Sequence, residues 1–315
     1  MQFLSRLSVR SRFAMLGLLG LFMAVIPTLL YANRAWLELQ SAGLELAGVE
    51  PARAILRVVQ LVQQHRSVSA LVFAGNMDVQ ATRVQRQNEV DAALAHWSDL
   101  QARGTEDANV RASRQKLTHE WQDLVRTLQD GASSAEQSFQ LHSALLADLL
   151  RSLDQLADVY GLSMDPETAS FQLARASLLD GPVLTEGLAK ARGKGAAMLA
   201  SRSSAPEERV ALALYLGQAD QAMQRLARDY DKATSARSAV KQQLGATPEL
   251  AQAQLRDAVA LSTEQILTSV ALSLPATDYM ARMQQALDVQ FRLLGQGFDA
   301  LDLMLQQREQ TLRNT

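Results

Sequence analysis

The chain has 315 residues, of which 48% are hydrophobic, 20% charged and only 5% aromatic, with 16 glycines, 7 prolines and a formal net charge of -2. That balance excludes a disordered chain, a collagen-like chain and an aromatic-rich β-sandwich, and it gives no bulk electrostatic case for a nucleic-acid partner. The absence of cysteine removes disulfides, thiolate chemistry and Cys-type zinc sites.

Arg6, Arg10 and Arg12 precede 21 uncharged residues, Phe13 to Asn33, reading FAMLGLLGLFMAVIPTLLYAN. As a helix this run is about 31 Å long, enough to cross a hydrocarbon core. Its length exceeds that of a signal-peptide core and no clean A-x-A site follows, so it is expected to remain as an anchor. The arginines before it and Glu38, Glu45 and Glu50 after it place residues 1–12 in the cytoplasm and the bulk of the chain in the periplasm, by the positive-inside rule.

Beyond the anchor, helical periodicity dominates and no alternating β pattern appears. Thr105-Glu106-Asp107, Asp165-Pro166-Glu167, Ser204-Ala205-Pro206-Glu207 and Thr247-Pro248-Glu249 read as helix starts, with capping side chains or early prolines before acidic first turns. Gly75, Gly104, Gly131, Gly161 and Gly245 read as helix ends. The spacing predicts helices near 34–47, 51–74, 78–103, 106–130, 134–160, 166–180, 182–201, 206–244, 248–273 and 276–313. The expected fold is all-α: a transmembrane helix at 13–33, then an elongated up-and-down bundle in two pseudo-repeated halves, 34–160 and 161–313.

The two halves are suggested by an internal match, QQHRSVSALVFAGN at 63–76 against AKARGKGAAMLASR at 189–202. Arg66 aligns with Arg192, Ser69 with Gly195 and Ala70 with Ala196, at an offset of 126 residues. Arg66 shares a stripe with Ile55, Val58, Val62 and Phe73, and Arg192 one with Leu184, Leu188 and Leu199. A core-facing guanidinium keeps its charge, so each must meet a carboxylate, backbone carbonyls or a bound anion. The small residues beside them leave space for a ligand or for a close helix contact.

Leu61-Val62-Gln63-Gln64-His65-Arg66-Ser67-Val68-Ser69-Ala70 resembles the L-x-x-x-Q-x-E/H-R-G-x-S-A pattern of the nitrate- and nitrite-sensing domain family, with Ser67 replacing the usual glycine. Asp165-Pro166-Glu167, Phe171, Pro182 and Ala191-Arg192-Gly193-Lys194-Gly195-Ala196 are similar to a D-P…P…R-x-x-G-A stretch in sensory regions of methyl-accepting chemotaxis proteins. The resemblance implies a membrane-anchored, periplasmic sensory region of a homodimeric chemotaxis-type transducer. It implies a small anion or other small solute held by Arg66 and Arg192, with His65 and Ser69 as neighbours. The family's second span, linker and signalling output are not found before Thr315. A tethered helical structural protein without a ligand is the alternative, and internally paired arginines would favour it.

Catalytic patterns are not found. His65, His96, His119 and His142 lack metal-ligand spacing, and the segment from Gly187 to Gly195 fails the phosphate-loop pattern in its glycine spacing and its missing Ser/Thr. Neither an enzyme, a cofactor nor a metal is expected.

Overall fold

A computed structural model describes residues 8–102, 107–130, 134–203 and 205–314, and among these the chain is helical with no strand. Arg6, Gly104, Gly131 and Ser204, singled out above, lie outside the described residues. Helix α1 runs from Val9 to Phe73 without interruption for 65 residues, about 98 Å. Then come α2 (Gln80–Ala102), α3 (Ala108–Gln129) and α4 (Ala135–Val159). A single rod follows, made of α5 (Thr168–Arg175), a π turn (Ala176–Asp180) and α6 (Gly181–Ser201). The chain continues through α7 (Pro206–Ala236), α8 (Ser238–Leu244) and α9 (Thr247–Ser262), which runs on into a second π turn (Thr263–Leu267), and ends in α10 (Ala276–Arg313).

The N-terminal third of α1 is long and apolar enough to cross a membrane. Its apolar residues are uncovered: Leu16, Met23 and Leu30 are each more than 60% exposed. Their only favourable surroundings are lipid or another helix.

Four expected boundaries are corrected. The predicted gap at 47–51 is absent, because Pro51 lies inside α1. An interior proline costs a backbone hydrogen bond, about 3 kcal/mol, and dense burial offsets it: Val49, Ala52 and Ile55 are fully enclosed. Gly48 lets the helix close onto α4, since a Cβ there would lie 2.5 Å from Tyr160 Cβ. The predicted boundary at 180–182 is likewise continuous: the π turn, in which Gly181 N donates to the Ala176 carbonyl, leads straight into α6. Conversely, the helix expected over 206–244 breaks at Arg237, whose backbone is extended (φ -147°, ψ 113°). The last helix but one ends at Leu267 rather than near 273.

The cap of α3 is Asp107, which accepts from Asn109 N and Val110 N; the sequence put Asp107 in the first turn behind Thr105, which with Glu106 lies outside the described residues. Gly75 and Gly161 act as read, with positive φ of +92° and +75° where α1 and α4 end.

Two four-rod units share one core. The outer part of α1 packs on α2 and α4, with α3 against α4. The α5–α6 rod packs on α7 and α10, and α10 on α9. Contacts of α1 with α10 and α6 join the units. Helix α10 runs antiparallel to α1: Arg308 pairs with Glu45, and Asp299 with Arg53 (2.9 Å), so residue numbers fall on one helix as they rise on the other. Trp97, Trp121, Tyr230, Tyr279 and Phe298 are the largest fully buried side chains, each removing a large apolar area from water.

Candidate functional site

Arg66 lies on α1 about 50 Å along the helix from Asn33, the end of the apolar run. It stands on the first rod of its unit and Arg192 on the first rod of the other; the packing of α1 on α6 brings them into one buried cluster. Both side chains are 3% exposed.

Their partners differ in kind. Arg66 makes a two-pronged ion pair with Glu186 of α6, Nη1 to Oε1 at 2.7 Å and Nη2 to Oε2 at 3.0 Å. It also donates to Ser143 Oγ (3.0 Å) and lies over the Phe139 ring, 5.3 Å from its centroid. Gln63 Nε2 donates to Glu186 Oε2 (3.1 Å), and Lys190 Nζ stands 3.4 Å from Glu186 Oε1. The carboxylate is therefore fully engaged.

Arg192 makes no ion pair among the described residues. It donates to Gln284 Oε1 of α10 and to Ser67 Oγ of α1, and its buried Nε has no partner. Burial, and next the charge of Arg66, pull its pKa down to about 10 against the opposing influence of Asp288 and Glu186. Arg66 and Lys190 share one carboxylate, Glu186, while Arg192 touches only Gln284 and Ser67 and feels Asp288 and Glu186 through space. The cluster is a buried concentration of positive charge with one guanidinium held only by neutral groups.

Of the other predicted site residues, His65 turns away. Its Nδ1 lies 2.8 Å from Nε2 of His142 on α4, and its ring meets Trp121 of α3 edge-on with centroids 5.0 Å apart. His142 Nδ1 is 2.7 Å from the Ser138 carbonyl oxygen, which fixes the proton there; His142 Nε2 then accepts from His65 Nδ1. Burial, and then nearby Arg83, depress the pKa of His65 to about 3, and burial with the adjacent His65 holds His142 well below its usual value. Ser69 is fully buried with its hydroxyl unpartnered. The space expected beside Gly195 is a close helix contact: a Cβ there would lie 2.4 Å from the Tyr279 hydroxyl oxygen. That hydroxyl donates to the Ala191 carbonyl and bonds to Ser262.

Glu186 and Gln284 were not singled out from the sequence; Ser67 was noted there only as a departure from the motif and His142 only as a histidine without metal-ligand spacing. For Glu186 a signal exists, since it is the one acidic residue between Gly181 and Ser201. Among the described residues no group of three or more metal-ligating side chains converges. Comparison with protein-family models, curated proteins and solved structures gives no match.

Proposed function

We propose that this chain is the membrane-anchored, periplasmic sensory region of a chemotaxis-type transducer, recognising a small anion at the Arg66–Arg192 cluster. The N-terminus lies in the cytoplasm, α1 crosses the inner membrane, and two copies associate as a homodimer. The observation that carries the reading is Arg192: a buried guanidinium with an unpartnered Nε and no carboxylate in contact suits an oxyanion, to which charge-assisted hydrogen bonds contribute about 1.5–3 kcal/mol each. The resemblance of residues 61–70 to nitrate- and nitrite-sensing domains, and of residues 191–196 to sensory regions of methyl-accepting chemotaxis proteins, supports it.

The alternative, a tethered helical protein without a ligand, draws on the complete pairing of Arg66 with Glu186. A thermal-shift series with nitrate, nitrite and small carboxylates on the full chain in nanodiscs separates the two. A ligand at 100 times its dissociation constant stabilises by about 2.7 kcal/mol. The sensory reading expects a rise with at least one anion that Arg192→Gln removes. A flat response to all of them at millimolar concentration leaves the structural reading.

A further inference from the structure

The guanidinium fork of Arg66 is filled by a carboxylate of the protein itself. Arg66 Nη1 and Nη2 grip the two oxygens of Glu186 at 2.7 and 3.0 Å, and Gln63 Nε2 donates to Oε2 at 3.1 Å. This seat, a planar fork and an amide donor, matches a planar group that carries two oxygens on one atom. A ligand anion of that shape takes it only by displacing Glu186.

A second seat for the displaced carboxylate lies beside the first. Lys190 is one turn further along α6, and its Nζ stands 3.4 Å from Glu186 Oε1, outside the range of about 2.7–2.9 Å of a close charge-assisted hydrogen bond. A Glu four residues before a Lys on one helix is the favoured order for such a pair. The Lys190 side chain is a quarter exposed, whereas that of Arg66 is buried. Arg66 and Lys190 now share one carboxylate; with a ligand on Arg66, each cation has its own, and no charge is stranded. Glu186 ties α6 to α1 through Arg66 and Gln63 together, so its departure opens both ties in one step. The bond from Arg192 to Ser67 is left.

We propose that Glu186 is a tethered stand-in for the ligand: a planar oxyanion takes its place on the Arg66 fork, and the freed carboxylate passes to Lys190, untying α6 from α1. This rests on the anion reading above and adds to it a competitor within the chain. A tethered competitor lowers the apparent affinity by the fraction of molecules whose fork is open.

The test is calorimetric titration of the full chain in nanodiscs with sodium nitrate and sodium acetate, with sodium chloride as the anion lacking paired oxygens. Glu186→Gln, which removes the competing charge, is expected to bind nitrate or acetate about tenfold or more tightly than the wild type, and chloride no better than before. Lys190→Gln, which removes the second seat, is expected to weaken binding about fivefold or more, and to have no effect in the Glu186→Gln background. Lys194→Gln removes the same charge one turn further on, from a lysine paired with Glu208 at 2.8 Å, and is expected to change affinity less than about twofold. The two lysine variants, at partly exposed positions, decide between outcomes even where Glu186→Gln is too unstable to titrate. Wild-type binding that Glu186→Gln leaves equal or weaker would overturn the stand-in while the anion reading survives. Equal loss in Lys190→Gln and Lys194→Gln would reduce the lysine to a distant charge and overturn the exchange. Binding by Glu186→Gln alone would make Glu186 a permanent partner that no ligand displaces. No heat from any variant up to about 10 mM anion would overturn the anion reading and this proposal together.

Discussion

Arg66 and Glu186, 120 residues apart in sequence, close a two-pronged ion pair between α1 and α6 in which both side chains are at least nine-tenths buried. Desolvating two such charges is costly, and the pair endures because Ser143, Gln63 and Lys190 engage the remaining donors and acceptors. Removing one partner strands the other. Glu186→Ala is therefore expected to lower unfolding free energy by about 3–5 kcal/mol, whereas Arg66→Met with Glu186→Leu recovers most of that loss. Chemical denaturation of the three variants measures both effects. A single substitution costing under about 1 kcal/mol would contradict the assigned burial.

The His65–His142 pair makes stability depend on pH, with a definite sign. Both histidines are held neutral in the fold, His65 down to about pH 3. Below the ordinary histidine pKa near 6.5 the unfolded chain takes up protons that the folded chain refuses, so stability falls as pH drops, by up to about 1.4 kcal/mol per unit for each histidine. Asp229 acts oppositely: burial is the main cause raising its carboxyl to about 6, with adjacent Asp180 adding to it. It holds a proton in the fold that the unfolded chain loses near pH 4, so its contribution disappears as pH rises through 6. Between pH 4 and 6 these groups together give a net decline of about 1.4 kcal/mol per unit of acidification. Asp229→Asn should steepen the decline and His65→Phe with His142→Leu should reverse it, as read from denaturant midpoints across that window.

Leu16, Met23, Leu30, Leu37 and Leu44 recur every seven residues along α1, and all are exposed. Beyond the apolar run, Leu37 and Leu44 lie opposite buried Ala42, and in the proposed membrane-anchored form no lipid covers them. A parallel copy anchored by the same span would place its own Leu37 and Leu44 at the same height. Because the chain has no cysteine, Leu37→Cys and Leu44→Cys should each give an oxidised dimer in membranes, and Ala42→Cys should not. Equal cross-linking at all three positions would reject this face.

Orientation is tested with the same cysteine-free background. Val270, fully exposed in the segment between α9 and α10, lies well beyond the apolar run. Val270→Cys is expected to react with a membrane-impermeant maleimide in cells whose outer membrane has been permeabilised. Protection until the inner membrane is lysed would reverse the topology.

The all-α class and the apolar span were legible in the sequence because both depend on local quantities, the period of apolar residues and the length of an uncharged run. The left-handed glycines at 75 and 161 were legible for the same reason, and the start of α3 was legible to within two residues, its cap being Asp107 and not Thr105. Pro51 was misread as a start because its local cost is visible in sequence while the burial that offsets it comes from helices that pack on α1 from elsewhere in the chain, Tyr160 lying more than 100 residues away. Core stripes showed that Arg66 and Arg192 face inward, but not that Glu186 takes the first while Gln284 and Ser67 hold the second, nor that His65 turns to His142. A helix wheel sets only the direction in which a side chain leaves its axis. What it meets there is decided by which helices pack against that face and in what register, and only the tertiary structure determines that.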